Sequence, residues 1–216
     1  SHFMFSVAAT PPWSLWDGKD YKNMSDQDEA KFRMIEYHKW KFKAKIFSPL
    51  APLTVKRTPV LMTRVEYGFL GSYNKYKKSP FETFYMGGDG MSGYSSTYAT
   101  ETIGLRGYEN GSIAGNGGYN SYGYAYSRLS MELRYPFLLE PSSTIYGLVF
   151  VEAGNAWRDL KDFNPFQLKR SAGVGVRIFL PMIGLMGIDW AYGFDRPDGY
   201  DQRGGSNFHF IIGQEF

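Results

Sequence analysis

The sequence contains no cysteine and no long uninterrupted apolar run. The absence of cysteine excludes disulfide scaffolds, thiolate zinc sites and cysteine nucleophiles. The longest uncharged stretch in the last third, 178–188, includes Pro181 and is about half as long as the ~20 residues that a membrane-spanning helix needs. A spanning helix is therefore excluded. A transmembrane β-barrel is not, because its strands need only about 9–11 residues and half of these can be polar.

The chain also lacks a strong charge bias and the common catalytic motifs. Its 24 basic and 21 acidic residues give a net charge of +3, spread along the chain, which offers no electrostatic basis for binding nucleic acid. The three histidines lie in separate segments, and neither H-E-x-x-H nor G-x-S-x-G occurs. A loop cluster of Asp26, Asp28 and Glu29 lacks the spacing of a calcium loop. We therefore expect no enzymatic activity, no cofactor and no metal site.

Glycine and aromatic residues, in contrast, are abundant. Glycine occurs 25 times in 216 residues and aromatic residues make up 18 % of the chain, which favours strands and turns. Alternation of apolar and polar residues predicts eight strands at about 2–10, 32–47, 58–70, 123–137, 144–157, 167–180, 183–195 and 206–216. The sequence thus predicts an all-β, antiparallel protein.

Each predicted strand has one apolar face and one polar face. In an outer-membrane barrel the apolar face contacts lipid and the polar face lines the lumen. Side chains expected to contact lipid are Trp40, Val65, Leu133, Val176 and Trp190; those expected in the lumen are Lys39, Lys41, Lys43, Lys45, Arg64, Glu66, Arg128, Glu132, Arg134, Arg177 and Asp189. A soluble sandwich, whose strands also alternate, is the alternative.

The connections between the predicted strands alternate between long and short, as they do in outer-membrane barrels. The longest, 71–122, is rich in Gly, Tyr, Ser and Asn, and loops of this length are commonly functional. It includes Gly88-Asp89-Gly90-Met91-Ser92-Gly93, but the residues that follow are a poor start for a helix. We therefore attribute these glycines to turns rather than to nucleotide binding.

Four short motifs carry a resemblance to a known family. They are Gly104-Leu105-Arg106-Gly107-Tyr108 in the long loop, Phe150-Val151-Glu152-Ala153-Gly154 in the fifth strand, the loop entry at 81–88, and the end of the chain at 208–216. Together they resemble the BamA family of outer-membrane assembly factors, in the surface-antigen superfamily. The resemblance covers essentially residues 1–216 and implies the last eight strands of a sixteen-stranded barrel with a loop inserted in its lumen.

The resemblance implies a latch between the loop and the barrel wall. Its residues would be Leu105, Arg106, Gly107 and Tyr108 in the loop and Phe150, Glu152 and Gly154 on the strand. Alternation directs Glu152 into the lumen, where a bidentate fork from Arg106 could neutralise it. In the alternative, Glu152 pairs with a residue of a neighbouring strand, such as Arg134 or Arg177, and Arg106 lies in solvent. The family more often has aspartate where this chain has Glu152.

The resemblance also implies a function. The chain would help to fold and insert β-barrel proteins into the bacterial outer membrane, in contact with outer-membrane lipids, client β-barrel proteins and accessory assembly lipoproteins. The closing strand, with Phe208, Phe210, Ile212, Gly213 and Phe216, would form a lateral seam in which Gly213 permits a bend, unless this glycine merely avoids a clash. A polypeptide-secretion pore of the same superfamily and a small structural barrel that closes by itself are the alternatives.

Overall fold

The computed structural model describes residues 1–25, 28–52, 54, 57–90, 101–113, 122–140, 142–182 and 184–213. These residues form ten β-strands, one short α-helix and two 3-10 turns. The strands are β1 (His2–Ala9), β2 (His38–Pro49), β3 (Val60–Gly71), β4 (Phe84–Met86), β5 (Glu101–Ile103), β6 (Ala125–Glu140), β7 (Ser143–Trp157), β8 (Lys169–Leu180), β9 (Gly184–Gly193) and β10 (Gly205–Ile212); the helix is α1 (Glu29–Phe32), and the 3-10 turns are Trp13–Leu15 and Leu160–Asp162.

Eight of the strands form one antiparallel sheet, in the order β1-β2-β3-β6-β7-β8-β9-β10. All eight predicted strands are present, with boundaries that differ by a few residues. In the described residues β1 pairs only with β2 and β10 only with β9, so these strands form the two edges of the sheet. The described part of the chain therefore does not close into an eight-stranded barrel.

Three details differ from the prediction. The second strand begins at His38 rather than at 32, because Asp28 accepts a hydrogen bond from the Ala30 N–H and caps α1. The last strand ends at Ile212. The long loop contains β4 and β5, which pair in parallel and, at three residues each, are too short to show alternation.

The two faces of the sheet differ as predicted. The side chains of Arg64, Glu66, Arg128, Glu132, Arg177 and Asp189 are buried, whereas those of Trp40, Leu133, Val176 and Trp190 are exposed. The exposed face is a continuous apolar surface that includes Phe3, Phe5, Phe42, Met131, Tyr135, Val149, Val151, Val174, Ile188, Phe208 and Phe210. No second sheet packs on this surface in the described residues, which argues against a soluble sandwich.

The connections bring the long loop onto the polar face. The links between β6 and β7 and between β8 and β9 are short, whereas the connections 10–37, 72–124, 158–168 and 194–204 are longer and join strands at the opposite end of the sheet. Side chains of this long loop pack with Leu70, Tyr126 and Ala156 of the sheet in a buried core that includes Phe84, Met86, Ile103, Leu105 and Tyr108. The described part of the loop therefore packs against the inner face of the sheet. In the described residues, no helix is both long enough and apolar enough to cross a membrane.

Candidate functional site

The candidate site lies where residues 105–108, which we call the latch segment, contact the inner face of the sheet. The Leu105 N–H donates a hydrogen bond to the Gly88 carbonyl at 3.1 Å, and Leu105, Arg106 and Tyr108 are fully buried. Gly107 has φ of +88°, and a Cβ atom there would lie 2.9 Å from the backbone nitrogen of Gly193. The latch segment therefore needs glycine both for its left-handed backbone and for its close approach to β9.

The guanidinium of Arg106 binds three carboxylates from three strands. Its Nη2 atom donates to Glu152 on β7 at 2.7 Å and to Glu132 on β6 at 2.6 Å, and its Nη1 atom donates to Asp189 on β9 at 2.9 Å. We call these three acidic residues the carboxylate cluster. The contact between Arg106 and Glu152 is present, as expected, and Arg106 does not lie in solvent.

The geometry of that contact differs from the expected bidentate fork. One oxygen of Glu152 accepts from the Arg106 guanidinium, while the other accepts from the backbone N–H of Arg106 at 3.0 Å. The single carboxylate thereby fixes both the side chain and the backbone of the latch segment. The guanidinium also donates to Glu132 through the same Nη2 atom and to Asp189 through Nη1.

The other two residues of the strand motif also contact the loop. The ring of Phe150 lies 3.5 Å from the central carbon of the Arg106 guanidinium, a cation–π contact in a buried site. A Cβ atom at Gly154 would lie 2.5 Å from the terminal methyl of Met86 and 3.0 Å from the Ser127 carbonyl. Phe150, Glu152 and Gly154 therefore act as one surface that stacks on, neutralises and makes room for the loop.

Three further arginines from the strands surround the carboxylate cluster. Arg128 binds Glu152 at 2.9 Å, Arg134 binds Glu132 at 2.8 Å, and Arg177 binds Asp189 at 2.7 Å. Glu152 thus also pairs with an arginine of the neighbouring strand, Arg128, as the alternative expected, whereas Arg134 and Arg177 bind other members of the cluster. The alternative is wrong only in placing Arg106 in solvent. Alternating opposite charges allow so many ionised groups to be buried together.

Two contacts of the latch segment with the last strands were not predicted. The Gly107 N–H donates to Nε2 of His209 on β10 at 2.9 Å, so this ring nitrogen carries no proton. The Tyr108 hydroxyl donates to the Arg170 carbonyl at 2.6 Å, and burial raises the pKa of this phenol to about 12. Alternation places His209 on the inner face, but nothing in the sequence indicates that its partner is a backbone amide 102 residues away.

A second attachment joins the loop to β2. Lys39 lies 3.1 Å from Glu82 and 2.9 Å from Glu101, and Lys41 lies 3.1 Å from Glu101. These lysines were predicted to line the lumen, and in the structure they also balance the charge of loop carboxylates. Burial raises the pKa of the Glu101 carboxyl, but the ammonium groups of Lys39 and Lys41 outweigh burial and hold the pKa below its usual value.

The closing strand is present with its predicted outward residues. Phe208, Phe210 and Ile212 are exposed on the apolar face, while Phe216 lies outside the described residues. Gly213 follows the strand with φ of +70°, and its N–H donates to the Leu185 carbonyl at 2.7 Å. Among the residues that the structure describes, a Cβ atom at Gly213 would have no neighbour within 4 Å, so no clash in this part of the chain requires the glycine.

The structure offers no cation site in its described part. No group of three metal-ligating side chains converges there. In the loop acidic cluster, Asp28 caps α1, and Asp26 lies outside the described residues.

Comparisons with known proteins bear on the fold and the family. A search of curated proteins found no match. Among solved structures, BamA from Haemophilus ducreyi lacking POTRA domains 1–3 matches with a TM-score of 0.57 at 20 % identity, over 81 % of this chain and 34 % of that chain. This chain thus has the fold of part of that barrel and spans about a third of its length. The model of the Omp85 superfamily domain matches residues 30–216, and the chain therefore belongs to the Omp85 superfamily.

Proposed function

We propose that this chain acts in the folding and insertion of β-barrel proteins into the bacterial outer membrane, as BamA-like assembly factors do. Membership of the Omp85 superfamily supports an outer-membrane protein of the assembly or secretion type. The choice of assembly rather than secretion is supported by the likeness in fold to a BamA barrel.

The observation that carries the proposal is the contact between the latch segment and the sheet. Arg106 ties the loop to β6, β7 and β9, and the Gly107 N–H ties it to β10. The loop thus holds in place the strands that lead to one edge of the sheet. A factor that opens at this edge needs such a brace, because the remaining strands must keep their order when the edge strand separates.

The exposed edge of the sheet supports the proposed pairing with client strands. In the described residues β10 has one hydrogen-bonded neighbour, and its outer face presents Phe208, Phe210 and Ile212 to the lipid phase. A client strand could pair with the free backbone groups of such an edge by β-augmentation while its apolar face enters the bilayer. The partners we propose are therefore outer-membrane lipids, client β-barrel proteins and accessory lipoproteins. The proposed activity needs no covalent step and no cofactor.

Reconstitution of the full-length protein tests this function. An unfolded client barrel is added to vesicles that contain the protein, and its insertion is followed by protease protection and by the shift of the folded form on gels. We expect faster insertion than in empty vesicles. Arg106→Ala should lose most of this gain, whereas Arg158→Ala, an exposed loop arginine, should keep it.

Two outcomes would assign the chain to another function. Passage of an unfolded polypeptide into the vesicle lumen without insertion of the client barrel would indicate a secretion pore. Insertion at the rate of empty vesicles, without translocation, would indicate a structural barrel.

A further inference from the structure

A cavity of about 530 Å³ lies at the end of the sheet where the longer connections begin. Its wall is formed by the ends of β2 and β3, by residues 72–78 of the long loop, and by residues 159–161, which follow β7. The charged side chains of the lining are three lysines and one carboxylate: Lys75, Lys78, Lys161 and Asp159. Neither edge strand of the sheet contributes to this lining.

The charged groups of the lining do not balance one another. The Nζ atom of Lys78 donates a hydrogen bond to Asp159 at 2.8 Å, which occupies the single carboxylate. Among the residues that the structure describes, neither Lys75 nor Lys161 forms an ion pair. The described part of the chain therefore leaves two ammonium groups of the cavity without a counterion.

Tyrosine rings hold two of these lysines in place. The Nζ atom of Lys75 lies 4.8 Å from the centre of the Tyr76 ring, and that of Lys78 lies 5.5 Å from the centre of the Tyr124 ring. Because an ammonium is attracted to the face of an aromatic ring, these contacts restrict both lysine side chains. The ring faces that carry the ammonium groups are then not available to stack on a sugar. The lining therefore favours an anion over an uncharged carbohydrate.

The cavity lies beside the outward, apolar face of the sheet. On β3, alternation directs Tyr67, Phe69 and Gly71 outward, and Gly71 lines the cavity two residues beyond Phe69. Trp40 of β2 is paired with Phe69, is 44 % exposed, and donates a hydrogen bond from its indole to the lining residue His38. Aromatic residues mark the level of the lipid headgroups in outer-membrane barrels, and the longer connections lie on the extracellular side. The cavity is therefore at the level of the outer-leaflet headgroups.

The connection 158–168 extends from the cavity onto the same outward face. Lys161 lines the cavity, and Phe163, two residues later, packs against the sheet. The centre of the Phe163 ring lies 5.0 Å from that of Phe69 and 4.7 Å from that of Trp157, two residues that alternation directs outward. One wall of the cavity is thus continuous with a segment that covers part of the lipid-facing surface.

We propose that this cavity binds the phosphate monoester headgroup of an outer-leaflet lipid, with Lys75 and Lys161 as its main ligands. A phosphate monoester carries nearly two negative charges near neutral pH, which matches the two ammonium groups without a counterion. Lysine binds phosphate as a compact point charge. A lipid is favoured over a soluble anion, because its acyl chains can cover the apolar surface that begins at Phe69. Such a site needs only an outer-membrane location and is independent of the proposed role in assembly.

The test uses the full-length protein in micelles of a neutral maltoside detergent, in a buffer free of phosphate. Dihexanoyl phosphatidic acid is titrated in, and binding is measured by isothermal titration calorimetry after subtraction of the titration into empty micelles. We expect saturable binding that Lys75→Gln and Lys161→Gln each weaken by about threefold to tenfold, since each removes one charged contact with the phosphate. Lys22→Gln is the matched control, because Lys22 is exposed in the connection 10–37 at the same end of the sheet but does not line the cavity; it should leave the affinity unchanged.

A change of opposite sign is expected at Asp159. Asp159→Asn removes the single carboxylate of the lining and releases Lys78 from its ion pair, while the size of the side chain is retained. Phosphatidic acid should then bind about threefold to tenfold more tightly. If these side chains only shaped the cavity, every substitution would weaken binding.

Two further titrations test the headgroup and its source. Dihexanoyl phosphatidylcholine, which has no net charge, should show no binding that Lys161→Gln weakens. Inorganic phosphate should bind at least about tenfold more weakly than phosphatidic acid, because it has no acyl chains to bury. Inorganic phosphate that binds as tightly as the lipid would assign the cavity to a soluble anion and overturn the lipid site.

Three other results would also overturn it: no saturable binding of phosphatidic acid, an unchanged affinity in both lysine variants of the cavity, or an equal loss of affinity in Lys22→Gln. Circular dichroism verifies that each variant is folded. Because Lys75 and Lys161 are both exposed, either variant alone keeps the test decisive if the other fails to fold.

Discussion

The loop is attached to the sheet at two places that differ in burial and in the number of partners. The Arg106 guanidinium and its three carboxylates are almost fully buried, and these carboxylates come from three strands. Around Glu101, the carboxylate and Lys41 are each 23 % exposed, Lys39 is 5 % exposed, and the ion pairs reach a single strand, β2. The same kind of interaction is thus used once as a dry network and once as a partly hydrated one.

This difference indicates how the loop responds to disturbance. A buried ion pair that loses one partner leaves an uncompensated charge, whereas a hydrated pair exchanges its partner for water at little cost. The attachment at Arg106 should therefore hold the loop in place, and the attachment at Glu101 should adjust its position and detach first.

Removal of Arg106 should have the largest effect. Arg106→Ala leaves three buried carboxylates without their shared partner, and we expect a loss of about 3–5 kcal/mol in the free energy of unfolding. Urea unfolding in lipid vesicles measures this loss, with Arg158→Ala as the control. Exchanging the charges of Arg106 and Glu152 should recover little, because the new glutamate would face Glu132 and Asp189. Full recovery in that double mutant would show that Glu152 is the dominant partner.

The next largest effect should come from the histidine on the edge strand. His209→Ala leaves the buried Gly107 N–H without its acceptor, which should cost about 1–3 kcal/mol. The Gly107 amide should also exchange with deuterium faster. His2→Ala, an exposed histidine on the opposite edge strand, should change neither quantity. Unchanged exchange at Gly107 in His209→Ala would mean that this hydrogen bond does not fasten the latch segment.

Arg106 and His209 show which contacts of the loop the sequence predicts and which it does not. Alternation assigned Glu132, Glu152 and Asp189 to the inner face, and the paired motifs joined Arg106 to Glu152. Sequence alone did not join Arg106 to Glu132 and Asp189, because that pairing depends on strand register and on the depth of the loop in the lumen. His209 was missed because a histidine that accepts a backbone hydrogen bond leaves no pattern. The residues of β4 and β5 were missed because each strand is shorter than two periods of alternation.

A smaller and pH-dependent effect should come from Glu101. Because its pKa is lowered in the folded protein, its contribution to stability is present above the usual carboxyl range and is lost as the pH falls through the lowered pKa. Protease cleavage within 72–124 should therefore increase on acidification below that range. Glu101→Gln should raise cleavage at neutral pH and reduce its further increase in acid. Identical acid profiles for the two proteins would assign the effect to other carboxylates.

The smallest effect is expected at Gly213, which lies at the end of the closing strand and away from both attachments of the loop. Its φ of +70° favours glycine through backbone conformation, whereas no described residue lies near enough to its Cβ position to require glycine by packing. Gly213→Val should therefore lower the free energy of unfolding by about 1–2 kcal/mol through backbone strain alone, so poor client insertion by this variant would not identify a hinge.

Gly213→Asn separates backbone strain from a flexible hinge, because asparagine tolerates the left-handed region but is less flexible than glycine. We expect Gly213→Asn to fold and to insert client barrels at the wild-type rate, since the turn needs a positive φ and its hydrogen bond to Leu185, both of which asparagine retains. Slow client insertion by a stable, folded Gly213→Asn protein would instead show that the seam needs the flexibility of glycine at this position.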